Sequence, residues 1–165
     1  MDKIVEMGIP SLKRIFFWIC LILVLFLTRA FLIQPFKTFG PSMKPTISDN
    51  KIIFVNKIIY KFREPERGEI VVFRTSDRPY VYFIKRVIGK EGERVEIING
   101  DVIINGKKLV EPYVINKNDN WNMPEIKIKK GYIFVIGDNR DMDISQHLLV
   151  DVSIKNIIGK VIWVK

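Results

Sequence analysis

One serine in this sequence stands in a setting that suits a nucleophile, and the question is which side chain could be its base. Ser42 sits in FGPSMKPTI (39–47), behind Gly40-Pro41 and ahead of Met43 and Pro45. A proline steers the residue before it toward extended backbone, so Gly40 and Lys44 are predicted extended. Gly40 has no side chain, which leaves room for another chain to approach. A serine hydroxyl is a weak nucleophile and needs a base. His147 is the only histidine, with Asp143 and Asp151 nearby in sequence, so composition leaves a Ser–His–Asp arrangement open. The other candidate is a lysine neutralised by burial. In YVYFIKRVI (80–88), two-residue alternation puts Val81, Phe83, Lys85 and Val87 on one face. A lone lysine among apolar neighbours loses hydration, and its pKa of about 10.4 can fall by several units. The plainer alternatives are a simple turn at Ser42 and an edge-strand lysine at 85.

The elements that would position such a pair are mostly β. Beyond Gln34 the chain reads as short strand-like runs separated by turn signals: 51–60, 69–73, 80–88, 132–136 and 161–165. RVEIINGDVIINGKKLV contains Asn-Gly at 99–100 and 105–106. Asn-Gly tolerates the positive φ angles of a type I′ turn, which predicts a three-stranded meander. Residues 111–130, polar and broken by Pro112 and Pro124, are predicted as an irregular excursion from the sheet.

The N-terminal part differs. Ile15–Leu27 is thirteen apolar residues without a charge, and FLI after Thr28-Arg29-Ala30 extends the stretch to Ile33, nineteen in all. Roughly 20 residues span a bilayer, and Arg29 is near enough to one end to snorkel. Gln34-Pro35-Phe36-Lys37 does not resemble a small-residue cleavage site, so a retained anchor is expected. Lys3, Lys13 and Arg14 ahead of the run favour a cytoplasmic N-terminus. The expected organisation is a cytoplasmic tail (1–13), a transmembrane helix (14–33) and an extracytoplasmic domain (34–165), with about 100–130 as a less regular extension. The net charge of +9 among 165 residues suits lipid headgroups, and there is no clustered Arg/aromatic strip to suggest nucleic acid. One cysteine, Cys20, and one histidine argue against a disulfide framework or a His/Cys metal centre, and no cofactor is expected.

Taken in order, PSMKPT, GEIVVF, YFIKRVIGKEGERVEI, the Asn-Gly pairs and GDNRD resemble the type I signal peptidases, also called leader peptidases. The likeness runs from about Phe31 to Lys160. It implies a membrane-bound serine endopeptidase that removes signal peptides from exported preproteins on the outer side of the cytoplasmic membrane. The implied fold is mainly β, an antiparallel, barrel-like catalytic core behind one N-terminal transmembrane helix. Ser42 matches the family nucleophile and Lys85 its general base. The resemblance further implies that the Ser42 N–H holds the oxyanion and that Gly40 replaces a serine donor found in many relatives. Pro35–Gly40, with Phe36, and Tyr82–Lys85, with Phe83, would pair with an extended substrate and admit small residues before the cleaved bond.

The last motif departs from the pattern. Gly137, Asp138 and Asn139 match, but the serine, aspartate and arginine implied at alternate positions are Asp143, Ser145 and His147. The glycine expected next is Val150, and two prolines are Asp151 and Ser153. A carboxylate at 143 beside Lys85 would favour the ammonium form and raise its pKa, giving a more alkaline rate optimum or weaker activity. A weakly active or inactive paralogue that binds signal peptides or secretion partners is therefore the alternative. His147 is expected to be structural.

Overall fold

The computed structural model describes residues 11–147 and 150–165; the side chains of residues 27–31, Gln146 and Val150 are not described, and residues 1–10 of the expected tail lie outside it. The chain divides into one unit ending at Ile33 and a second, Gln34–Lys165.

In the first unit a helix, α1, runs Leu12–Leu32. Phe16, Phe17, Ile22 and Phe26 on it are largely exposed. Among the described residues no helix is long and apolar enough to cross a membrane. The apolar stretch with described side chains, Ile15–Phe26, is shorter than the roughly 20 residues a crossing needs. The expected span is thus present as a helix, without support for its crossing; Arg29 lies outside the described side chains.

The second unit is mainly β and antiparallel. Its strands are β1 (Ile33–Lys37), β2 (Ile52–Asn56), β3 (Ile70–Phe73), β4 (Phe83–Gly89), β5 (Arg94–Ile98), β6 (Asp101–Ile104), β7 (Lys107–Lys108), β8 (Met123–Lys127), β9 (Tyr132–Ile136), β10 (Val150–Ser153) and β11 (Ile157–Val164). Seven form one sheet in the order β1-β2-β11-β3-β4-β9-β10, and four form another, β7-β6-β5-β8. Alternation explains the local choices: Ile53 and Val55 of β2 are buried, as are Val95 and Ile97 of β5. Both Asn-Gly turns form as predicted, with positive φ at Asn99, Gly100, Asn105 and Gly106.

Three apolar clusters fill the unit. One, around Ile88, Trp121, Phe134 and Ile136, joins the two sheets; one gathers Val71, Phe73, Val87 and Val135; the third packs Met43 and Ile47 on Ile53, Val55 and Val72. The excursion at 111–130 is more regular than the sequence predicts. β8 pairs with β5 as a fourth strand, and Trp121 enters the core. Pro124 is accommodated because β8 is an edge strand, where one face of its backbone needs no ladder partner.

Candidate active site

Ser42 is carried by the turn after β1. Thr38, buried at its base, donates its N–H to the Lys51 carbonyl (2.8 Å) and its hydroxyl to the Ser48 carbonyl (3.0 Å). Gly40 has φ +87°, and a Cβ there would meet nothing within 4 Å. Glycine is needed for the backbone angle and not for space. The predicted extended Gly40 is therefore corrected: its N–H turns to the Asp49 carboxylate (2.9 Å), which outweighs the bias from Pro41. Lys44 N–H closes on the Pro41 carbonyl (3.0 Å) and Ile47 N–H on the Met43 carbonyl (2.8 Å), making a compact turn anchored by two buried side chains. Ser42 itself is half-buried, and its N–H has no acceptor among the described residues.

Lys85 belongs to β4, between β3 and β9, and is 4% exposed. Val87 on the same face is buried and Phe83 half-buried, whereas Val81 lies outside the strand and is exposed. Burial brings the Lys85 pKa down to about 8, because removing an ammonium from water disfavours its charged form; Asp138 opposes the change. Ser42 and Lys85 line one cleft of about 130 Å³, together with Phe36, Gly40, Tyr82 and Phe83. β1 and β4 are not neighbours in the sheet, yet the rings of Phe36 and Tyr82 meet edge to face at 5.1 Å, so the sheet curls around the cleft.

The segment after β9 fixes the serine turn. Asn139 N–H donates to the Ser42 carbonyl (3.1 Å) and Asn139 Nδ2 to the Pro41 carbonyl (3.1 Å). Gly137 permits this approach: a Cβ there would lie 2.3 Å from the Ser42 oxygen. The Asp138 carboxylate, wholly buried, takes Arg86 Nε (2.8 Å), Arg86 Nη2 (2.5 Å) and the Thr46 hydroxyl (2.5 Å). A bidentate charge-assisted pair of this kind is directional as well as strong. It joins β4, the serine turn and the 137–140 segment. Arg140, also buried, donates to the Gly137 carbonyl (2.8 Å) and to Glu111 (2.5 Å).

The model of the family described as signal peptidase, peptidase S26, matches residues 11–164. The chain belongs to the signal peptidase family. Signal peptidase I of Bacillus amyloliquefaciens is 42% identical over 123 residues, 69% of this chain and 63% of that protein. Signal peptidase I T of Bacillus subtilis is 38% identical over 128 residues, 72% of this chain and 66% of that one. The chain thus spans a little under two thirds of the length of these two relatives. A probable signal peptidase I-1 of Synechocystis is 34% identical over 152 residues, 88% of this chain and 76% of that one. A crystal structure of a signal peptidase I from Enterococcus faecalis overlays with a TM-score of 0.48 at 28% identity, covering 59% of this chain and 97% of that one.

Against the signal peptidase pattern, the substitutions at 143–147 do not act as the sequence suggests. Asp143 is exposed and takes Ser145 N–H (2.8 Å) and the Ser145 hydroxyl (2.6 Å), capping the short 3-10 turn Ile144–Gln146. These hydrogen bonds hold its carboxyl below the usual range. It is satisfied locally, and the carboxylate that acts on Lys85 is Asp138, so the expected effect of Asp143 on the lysine is corrected. Ser145 is likewise turned to solvent, away from the cleft. His147 is buried and edge to face with Trp121, ring centroids 4.7 Å apart. The sequence reasoning missed Arg86 and Thr46. Alternation along β4 was the available signal for Arg86, since it places that side chain on the face opposite Lys85.

Proposed function

We propose that this chain is a membrane-bound serine endopeptidase that cleaves N-terminal signal peptides from exported preproteins, with Ser42 as nucleophile and Lys85 as general base. The observation that carries the proposal is that the two side chains line one small cleft while burial brings the lysine within reach of neutrality. Neutral Lys85 takes the Ser42 hydroxyl proton as Oγ attacks the scissile carbonyl carbon. The unpartnered Ser42 N–H stabilises the oxyanion. The Lys85 ammonium then protonates the leaving amine, the C–N bond breaks, and an acyl-enzyme forms. Water, deprotonated by Lys85, then attacks the acyl carbon; the ester bond to Ser42 Oγ breaks, the Lys85 ammonium returns a proton to Oγ, and the signal peptide leaves.

The cleft walls of Phe36, Met43, Ile47 and Val72 leave about 130 Å³, room for small side chains before the cleaved bond. The substrate lies extended between residues 36–40 and 82–85, bound as an added strand. α1 serves as a single membrane anchor, its exposed Phe, Trp and Leu side chains sitting in lipid, with the N-terminus cytoplasmic and the β unit outside. The basic surface faces anionic headgroups.

Cleavage of a secretory precursor by wild type, Ser42→Ala and Lys85→Ala tests the assignment. Wild type cuts after the signal peptide and both variants lose activity; cleavage that survives either substitution refutes the pair. Peptide binding without cleavage by wild type points instead to a non-cleaving paralogue.

A further inference from the structure

His147 is expected from sequence to be structural, yet its surroundings do not give it a structural job. Its side chain is 6% exposed, and neither ring nitrogen makes a well-formed hydrogen bond among the described residues, although the Asn139 main chain lies close enough to favour the imidazolium. A buried imidazole that only fills space would satisfy at least one nitrogen, since an unpaired buried polar group costs about 1–3 kcal/mol. Unpaired polar atoms of this kind cluster where a group is held ready for a partner.

Three observations place that partner. The ring packs on Gly137: a Cβ there would be 3.0 Å from His147 Cε1 and 3.2 Å from Nδ1, on the glycine that also touches the Ser42 carbonyl. The β4–β9 register pairs Arg86 with Ile136 and Val87 with Val135; continued one residue past the end of β9, it would bring Gly137 beside Lys85. Directly opposed residues of antiparallel strands have Cα atoms about 4.5–5.5 Å apart. The amine of Lys85, a buried residue whose side chain lines the cleft, makes no hydrogen bond with the described residues. Two side chains of buried residues, neither held by a well-formed hydrogen bond, thus flank one glycine beside Ser42.

We propose that His147 is a positioning residue for Lys85, its neutral imidazole accepting a hydrogen bond from Nζ, through at most one bridging water, and holding the amine toward Ser42. The proposal rests on the Ser42–Lys85 reading above. Once Lys85 has taken the serine proton, its ammonium carries three N–H donors, and only some can point at Ser42 Oγ and the leaving nitrogen. An uncharged acceptor satisfies a spare donor without the charge of a carboxylate, which would raise the lysine pKa and weaken it as a base. Asp143 cannot take this part, being exposed and capped by Ser145.

The groups facing the imidazole are the Lys85 amine from β4, the Arg140 guanidinium and Asn139 main chain from the segment after β9, and the Trp121 ring. Burial first, then the Lys85 cation, brings the His147 pKa down to about 4; hydrogen bonding to the Asn139 main chain opposes the change, and Arg140 adds a smaller lowering. The ring is therefore neutral wherever Lys85 can act as a base, and it takes no proton during the cycle.

The test uses the chain in detergent micelles. As the only histidine, His147 gives one set of imidazole nitrogen resonances. At pH 8 a single tautomer is expected in wild type and a mixture in Lys85→Met; identical tautomer populations in the two would overturn the proposal. In cleavage assays His147→Leu is expected to lower kcat about 10- to 100-fold with KM within twofold, while His147→Gln, which keeps an acceptor, recovers most of the loss. A folded His147→Leu with wild-type kcat, or a folded His147→Gln as slow as His147→Leu, would also overturn it. If His147→Leu does not fold, the resonances of Lys85→Met decide. Because the resonances need no turnover, absence of cleavage by wild type would count against the peptidase reading alone.

Discussion

Lys85 should make the protein less stable than it could be, and by an amount that depends on pH in a defined way. The perturbation is Lys85→Met, which keeps a long unbranched side chain and removes the ammonium. The folded-state pKa is about 8, against 10.5 for an ordinary lysine. At about 1.4 kcal/mol for each tenfold change in proton affinity, that gap amounts to about 3 kcal/mol. The sign follows from which state holds the proton. Below pH 8 both folded and unfolded chains are protonated at this site, and the folded state bears the whole cost of the buried charge. Between pH 8 and 10.5 the folded lysine is neutral while the unfolded one still binds its proton, so the cost declines and wild-type stability gains as pH rises. Above 10.5 the cost is gone. Lys85→Met is therefore expected to unfold about 3 kcal/mol harder than wild type at pH 6.5, a rise in Tm on the order of 10 °C. The difference should shrink steadily above pH 8. Urea titrations of both proteins at pH 6.5, 8 and 9.5, followed by tryptophan fluorescence, measure it. A difference under 1 kcal/mol at pH 6.5, or one independent of pH, would refute the claim that β4 holds this amine out of water.

Further perturbations separate the contributions around the cleft. Gly137→Ala forces a Cβ to within 2.3 Å of the Ser42 carbonyl, and since that atom is main chain the serine turn must move; kcat is expected to fall about 100-fold, read in a precursor cleavage assay. Gly40→Ala meets open space but a φ of +87°, so it should cost about 1–2 kcal/mol in urea unfolding and little more. Asp138→Asn leaves the half-buried Arg86 with a weakened partner, and a loss of about 3 kcal/mol is expected by the same measurement. Asp143→Ser should leave the acid limb of the pH–kcat/KM profile in place, near pH 8, because Asp138 is the carboxylate acting on Lys85.

The sequence was most legible where one local rule was enough. Strand periodicity placed Lys85 on a buried face, and Asn-Gly located two turns, because each signal depends on a few neighbouring residues. β8 was missed because Pro124 reads as a breaker, and only the sheet order reveals an edge that tolerates it. Asp143 was misplaced for a related reason. Its position in the motif pointed to Lys85, but a short-range bond to Ser145 competes for the same carboxylate and wins. Alternation along β4 gives Arg86 its face, but its partners Asp138 and Thr46 lie up to 92 positions apart from one another, beyond the reach of periodicity. The unpartnered nitrogens of His147 could be seen only once the packing around Gly137 was known.

β11 has a consequence for how the molecule comes into being. It lies between β2 and β3, which follow each other in the chain but do not touch as strands. Until residues 157–164 arrive, the large sheet is two fragments, one carrying the serine turn after β1 and the other carrying Lys85. Joining such distant segments is slow, because chain entropy is spent before any contact repays it. During synthesis, then, Ser42 and Lys85 belong to separate fragments of the sheet ladder until β11 pairs with both, and before that only contacts outside the ladder, such as those of Asp138 and Asn139, can hold the two together.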